Sequence, residues 1–248
     1  MQNFLRKVMQ TIGRPLERLG KSSPKSGAAT PSVASGERTA EITLPEVRIR
    51  RVLEALEGQE LAALLPNLSG KKVLHATASG SRQWELLQQK GAKLIVDFDV
   101  NPLFGPQGTL SSRPALVQAV KGSFISSPFP DDAFEFFLLF GATPRIDPLS
   151  GWFSEIARIL REGSRAVFSM IHPYLAHQMN PRAGFPQEIG KYFMELRKAG
   201  IYVEEIKEVK AEESVRSLFG PAKDDKDFAQ IKGNPMVVFF KGVRLKRR

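Results

Sequence analysis

Two places in this sequence gather side chains of a type and spacing that could do chemistry. In the first, at 71–102, a turn of small and polar residues from His75 to Ser81 follows an apolar run, and Asp97 and Asp99 close a second one. In the other, His172-Pro173 ends the apolar run at 165–171, with Tyr174 and His177 behind it. A carboxylate offers acceptor oxygens for a pair of hydroxyls, and an imidazole can take a proton near neutral pH. The three histidines share no metal-ligand spacing, and phosphate-loop, zinc and Ser-His-Asp patterns are absent. With no cysteine, the chain has no disulfide, thiolate metal site or cysteine nucleophile.

The elements that must position these residues follow from periodicity. Between the two apolar runs of the first stretch, residues 82–90 have helical spacing with Trp84 and Leu87 on one face, and Gly91 stops the helix. Strand, turn, helix, strand and terminal acid form a βαβ unit, which holds a nucleoside at the carboxyl ends of its strands. Upstream, 45–65 reads as a helix or a helix pair broken near Gly58. Downstream come a Gly- and Pro-containing loop at 103–114, a strand at 115–120 and a wholly buried central strand at 134–140. An amphipathic helix at 148–160 precedes the strand at 165–171. A helix at 187–199, stopped by Gly200, leads to strands at 201–209 and 236–243. Strands alternating with helices predict an α/β layered domain.

The net charge of +10 sits at the two ends. Residues 1–38 and 241–248 each contribute +5, which leaves the middle of the chain near neutral. Basic ends on a neutral fold predict tethering to an acidic membrane surface or protein partner, or serve solubility alone. Residues 1–20 place Phe4, Leu5, Val8, Met9 and Ile12 on one stripe of a basic amphipathic helix. Such a helix docks on a membrane or partner, packs on its own domain, or is a removable transit segment. Residues 21–40, rich in Ser, Pro, Gly and Ala, read as a flexible linker, so the folded domain is predicted over 41–248. The longest apolar run, 136–140, is too short to span a bilayer, and no secretory signal is expected. These readings predict a cytoplasmic protein, membrane-peripheral if the first helix docks there.

Four segments carry a family likeness: VLHATASGSRQWELLQQKGAKLIVDFDVNP, GSFISSPFPDDAFEFFLLFGA, FSEIARILREGSRAVFSMIHP, and ELRKAGIYVEEI followed by NPMVVFFKG. In order and spacing they resemble the class I S-adenosylmethionine-dependent methyltransferases, particularly the small-molecule group called type 11. The resemblance implies a three-layer, doubly wound, mostly parallel seven-stranded sheet with its last strand antiparallel, here with an N-terminal helical extension. It also implies S-adenosylmethionine over the tips of strands one, two and four. Asp99 falls where the family's acid takes both ribose hydroxyls; the alternative is a turn-capping Asp before Asn101-Pro102. His75, Ala76, Thr77 and Gly80 fall on the first turn, where the family has acid-x-Gly-x-Gly-x-Gly. His75 replaces the acid that meets the cofactor's ammonium, and β-branched Thr77 replaces a glycine. Ser123 stands where an Asp holds the adenine amino group, and Phe124 is placed to pack on the purine.

His172 is the base expected on the substrate side, or else a structural turn residue before Pro173. The implied activity is methyl transfer to a small molecule. The departures in the first turn support a rival, an inactive methyltransferase-fold protein serving as a binding or assembly module. A nucleic-acid methyltransferase is less favoured, because residues 39–240 lack an aromatic-interleaved basic surface and an Asn-Pro-Pro-Tyr motif.

Overall fold

The apolar runs become strands, and the stripes of 3.6-residue spacing become helices that cover them. The computed structural model describes residue 44 and residues 46–77, 83–99, 115–121, 127–142, 149–179, 188–219 and 225–246. Residues 41–248 form one compact unit, while the helix expected at 1–20 and the linker at 21–40 lie outside the described residues. In chain order the elements begin with α1 (Glu46–Leu64), β1 (Lys72–Thr77), α2 (Trp84–Gln89), β2 (Leu94–Asp99), β3 (Val117–Lys121) and β4 (Phe134–Ala142). They continue with α3 (Leu149–Ile159), β5 (Leu160–Ile171), α4 (Pro173–Met179), α5 (Ile189–Ala199) and β6 (Ile201–Lys210). A 3₁₀ helix (Glu213–Phe219), α6 (Asp225–Ala229) and β7 (Pro235–Arg244) complete the described chain.

Among the described residues the strands form one seven-stranded sheet in the order β3-β2-β1-β4-β5-β7-β6. Strands β1 to β5 pair in parallel, and β7 runs antiparallel to both β5 and β6. Strand alternation gives each face its own core. One face carries Val73, Ile95, Leu138 and Val167 and packs under α1, Leu87 of α2, the 3₁₀ helix and α6. The other carries Leu74, Phe98, Phe137 and Phe168 and packs under Phe153 and Ile156 of α3 and Leu196 of α5. Both faces being covered explains the unbroken apolar run in β4, where Phe136 to Phe140 are all fully buried. Burying each such phenylalanine stabilises the fold by roughly 2–3 kcal/mol.

The turn into β4 is fixed by charge. Glu155 of α3 accepts hydrogen bonds from the Ser127 hydroxyl and from Arg158, which also pairs with Asp131. The bond from Arg158 holds the Glu155 carboxyl below the usual carboxylate range.

Three local features differ from expectation. Gly58 does not break the first helix: α1 runs through it, because burial of Val52, Leu56, Leu61 and Leu64 outweighs the roughly 1 kcal/mol that a mid-helix glycine costs. β5 starts at Leu160, earlier than the apolar pattern suggests, since buried Leu160 pairs with Phe134 ahead of the exposed residues 161–163. The short helices at 173–179, 213–219 and 225–229 have no counterpart in the sequence reading. Gly91 does stop α2, with φ +92°, and a Cβ there would lie 2.9 Å from Ser69 Oγ. Gly91→Ala is therefore expected to lower stability by about 1–3 kcal/mol, readable as a shift in the urea midpoint at unchanged slope.

The chain lays β2 and β3 on one side of β1 and then crosses to place β4 on the other. This reversal makes the carboxyl ends of β1 and β4 the topological switch point, the place where α/β sheets open a ligand crevice.

Candidate functional site

Two buried polar clusters flank that switch point, both on the face covered by α1. The first joins β1 and β2. His75 stands opposite Asp97 in the parallel register, and alternation turns both toward the face of Val73 and Ile95. His75 Nδ1 lies 2.9 Å from Asp97 Oδ1, and both side chains are buried. A carboxylate only accepts, so Nδ1–H donates to it, and Nε2 is left with its lone pair in the neutral ring. Nε2 is buried with no hydrogen-bond partner among the described residues. A buried acceptor backed by a carboxylate suits an ammonium or N–H donor.

The other residues singled out by sequence divide as follows. Ala76 is buried on the opposite face, in the second core. Thr77 is the last residue of β1, not a member of the turn proper, so an extended backbone that suits a β-branched residue is what it needs. Asp99 ends β2, its backbone between Thr77 of β1 and Lys121 of β3, at the height of the crevice. Gly80, Ser123 and Phe124 lie outside the described residues, as do the side chains of Thr77 and Asp99.

His172 caps the start of α4. Its Nδ1 accepts the Tyr174 backbone N–H at 3.1 Å, which leaves Nε2–H to meet Glu208 Oε1 at 2.9 Å. Its own N–H donates to the Met236 carbonyl at 2.9 Å. Both ring nitrogens are thus engaged. His177 sits in α4, in the last turn. No group of three potential metal ligands occurs among the described residues. Among the same residues no helix is long and apolar enough to cross a membrane.

The second cluster was not singled out by the sequence reading. Glu57, 3% exposed, accepts a hydrogen bond from Ser169 Oγ of β5 and another from the backbone N–H of Gly141 at the end of β4. Burial pushes its carboxyl up to about 7, although both hydrogen bonds oppose that shift by favouring the charged form. Two signals pointed to these residues. Glu57 interrupts an apolar stripe at four residues from both Leu53 and Leu61, and Asp97 shares the two-residue period of Ile95.

Comparison with known proteins agrees with this architecture. A family model described as a methyltransferase domain matches residues 74–168, from β1 into β5. No curated protein sequence matches the chain. Among solved structures, a putative S-adenosylmethionine-dependent methyltransferase from Listeria monocytogenes superposes with a TM-score of 0.61 at 16% identity, over 78% of this chain and 100% of that one. A putative methyltransferase of Haloferax volcanii, solved with the Trm112 methyltransferase activator, gives a TM-score of 0.61 at 16% identity, over 82% of this chain and 95% of that one. The geranyl diphosphate C-methyltransferase of Streptomyces coelicolor, solved with Mg2+, geranyl diphosphate and S-adenosyl-L-homocysteine, gives 0.58 at 16% identity, over 83% and 87%.

Proposed function

We propose that this chain, whose fold and matched segment are those of the class I S-adenosylmethionine-dependent methyltransferase superfamily, transfers a methyl group to a small-molecule acceptor. The observation that carries the reading is the His75–Asp97 pair at the switch point. The first turn lacks the family's acid, yet a carboxylate stands in register one strand away, hydrogen-bonded to the imidazole at the acid's position. An ammonium group bound there would be met by the imidazole lone pair, with the Asp97 carboxyl behind it.

S-adenosylmethionine supplies an electrophilic methyl on a sulfonium centre. The protein's work is to bind, orient and keep water out, and positioning of this kind can supply much of the rate. His75 would accept from the ammonium end, Asp99 from both ribose hydroxyls, and Ser123 from the adenine amino group, with Phe124 against the purine. Ala76, Thr77 and Gly80 would supply the backbone beneath. A proton released by the acceptor would reach His172 only if the bond to Glu208 opened. The small acceptor is supported by the geranyl diphosphate enzyme among the structural neighbours. The basic residues at 1–20 and 241–248 would hold the protein to an acidic membrane or protein surface.

Calorimetric titration of S-adenosylhomocysteine tests the reading. Micromolar binding is expected, with Asp99→Ala weaker by about 10- to 100-fold, since a charged acceptor of two hydroxyl bonds is lost. No heat up to millimolar ligand would overturn it.

A further inference from the structure

We propose that Glu57 is a positioning residue, a buried strut from α1 that sets the shape of the β4 tip at the edge of the crevice. Its bearing on methyl transfer rests on the reading above; the strut itself does not.

The argument starts from the backbone. Between Leu139 and Ala142, β4 has two residues where β5 has one, Ser169, between Phe168 and Met170, so one extra residue bulges out of the sheet. Gly141 lies in that bulge with φ +67°, a conformation that favours glycine. A bulged residue drops out of the ladder, so its N–H must find another acceptor, and Glu57 supplies it. Ser169, which holds the same carboxyl, is on β5 directly beside the bulge. One side chain thus ties α1 to the tips of two adjacent strands. The neighbouring strand contact, Thr77 opposite Phe140, places this bulge next to the end of β1.

The chemistry of the pair allows two states without breaking the strut. Neutral, the carboxyl accepts from Gly141 N–H and donates its own O–H to Ser169 Oγ; ionised, it accepts from both. A serine hydroxyl can reverse its direction, which is what the second partner must do. The charges around the strut do little to fix one state. Glu54, on the same helix, disfavours the ionised form. Of the other charges on or against α1, Glu60 pairs with Lys207, Arg48 with Asp227, and Glu213 of the 3₁₀ helix with Lys232, while Arg51 is exposed to solvent. On the same face, His172 is bonded to Glu208 and His75 to Asp97, and Arg216 stacks over Phe228. The carboxyl is therefore poised to change charge near pH 7, and the Gly141 N–H at the β4 tip then meets a charged acceptor in place of a neutral one.

The test follows the Gly141 amide resonance in protein labelled with 15N-glycine, between pH 5.5 and 8.5 without ligand. A titration centred near pH 7 is expected. Glu57→Gln keeps both bonds in one state and should leave the resonance flat. Ser169→Ala removes a bond that favours the charged form and should move the midpoint upward. A resonance that ignores pH, or that titrates alike in Glu57→Gln, overturns the proposal. In a second arm, the dissociation constant of S-adenosylhomocysteine should change at least threefold across the same range in the parent protein, and not in Glu57→Gln. Gly141 titrating while the ligand binds neither protein would uphold the strut and remove the cofactor reading instead.

Discussion

Asp97→Leu should lower the free energy of unfolding by about 3 kcal/mol or more, and His75→Leu/Asp97→Leu should recover most of that loss. The single variant leaves a fully buried imidazole with neither ring nitrogen bonded among the described residues, since Nε2 already has no partner. An orphaned buried polar group keeps its whole desolvation cost, whereas replacing both members by apolar groups removes the demand that each makes on the other. The pair sits among Val73, Ile95 and Leu138, so leucines extend an apolar neighbourhood that already exists. Urea unfolding followed by far-ultraviolet circular dichroism gives the three values. Equal losses in the single and double variants would show that the two residues are not held in place by each other. The double variant should also lose S-adenosylhomocysteine affinity while keeping its fold, which separates the site's stability from its binding.

Glu57→Gln should remove a pH dependence worth about 3 kcal/mol. The native carboxyl, pushed up to about 7 from an ordinary 4.5, holds its proton where the unfolded chain has released it. Its contribution to stability is therefore complete below about 4.5 and is lost as pH rises through about 7. Glutamine carries no proton to lose, so the variant gains on the parent protein steadily across this window and stays ahead above it. Other titrating groups, such as Glu155 with its carboxyl held below the usual range, act in both proteins and cancel in the difference. Parallel urea curves at pH 4.5, 6 and 8 measure the gap. A difference that does not change with pH would mean that Glu57 ionises as an ordinary surface carboxyl does.

These two residues also mark where the sequence was hard to read. The frame was legible: the unit from Lys72 to Asp99, the apolar β4 and the stop at Gly91 follow from runs, periods and one glycine. The site depends instead on contacts far apart in the chain. Glu57 meets Ser169 across 112 positions, and only the packing of α1 on β5 decides that its carboxyl points inward. Asp97 became readable once the register set it beside His75; the sequence alone offered two acids and favoured Asp99 at the strand tip. His172, read from sequence as a base or as a turn residue, has a partner the sequence could not show, Glu208 on the edge strand. The short helices were missed because five to seven residues carry too little periodicity to register.

The position of β7 bears on how the molecule can be made. It is the last strand in the chain, yet in the sheet it lies between β5 and β6. During synthesis β6 emerges first and has no strand to pair with, because the slot beside β5 is reserved for a segment still to come. Pairing across such a gap is slow, and waiting strand edges invite association with other chains. The half of the sheet around β1 can assemble as it appears. The half from β5 to β6 has to wait until Arg244 has left the ribosome, and a chain stopped short of 235 would leave the edge of β5 unpaired and β6 without a neighbour.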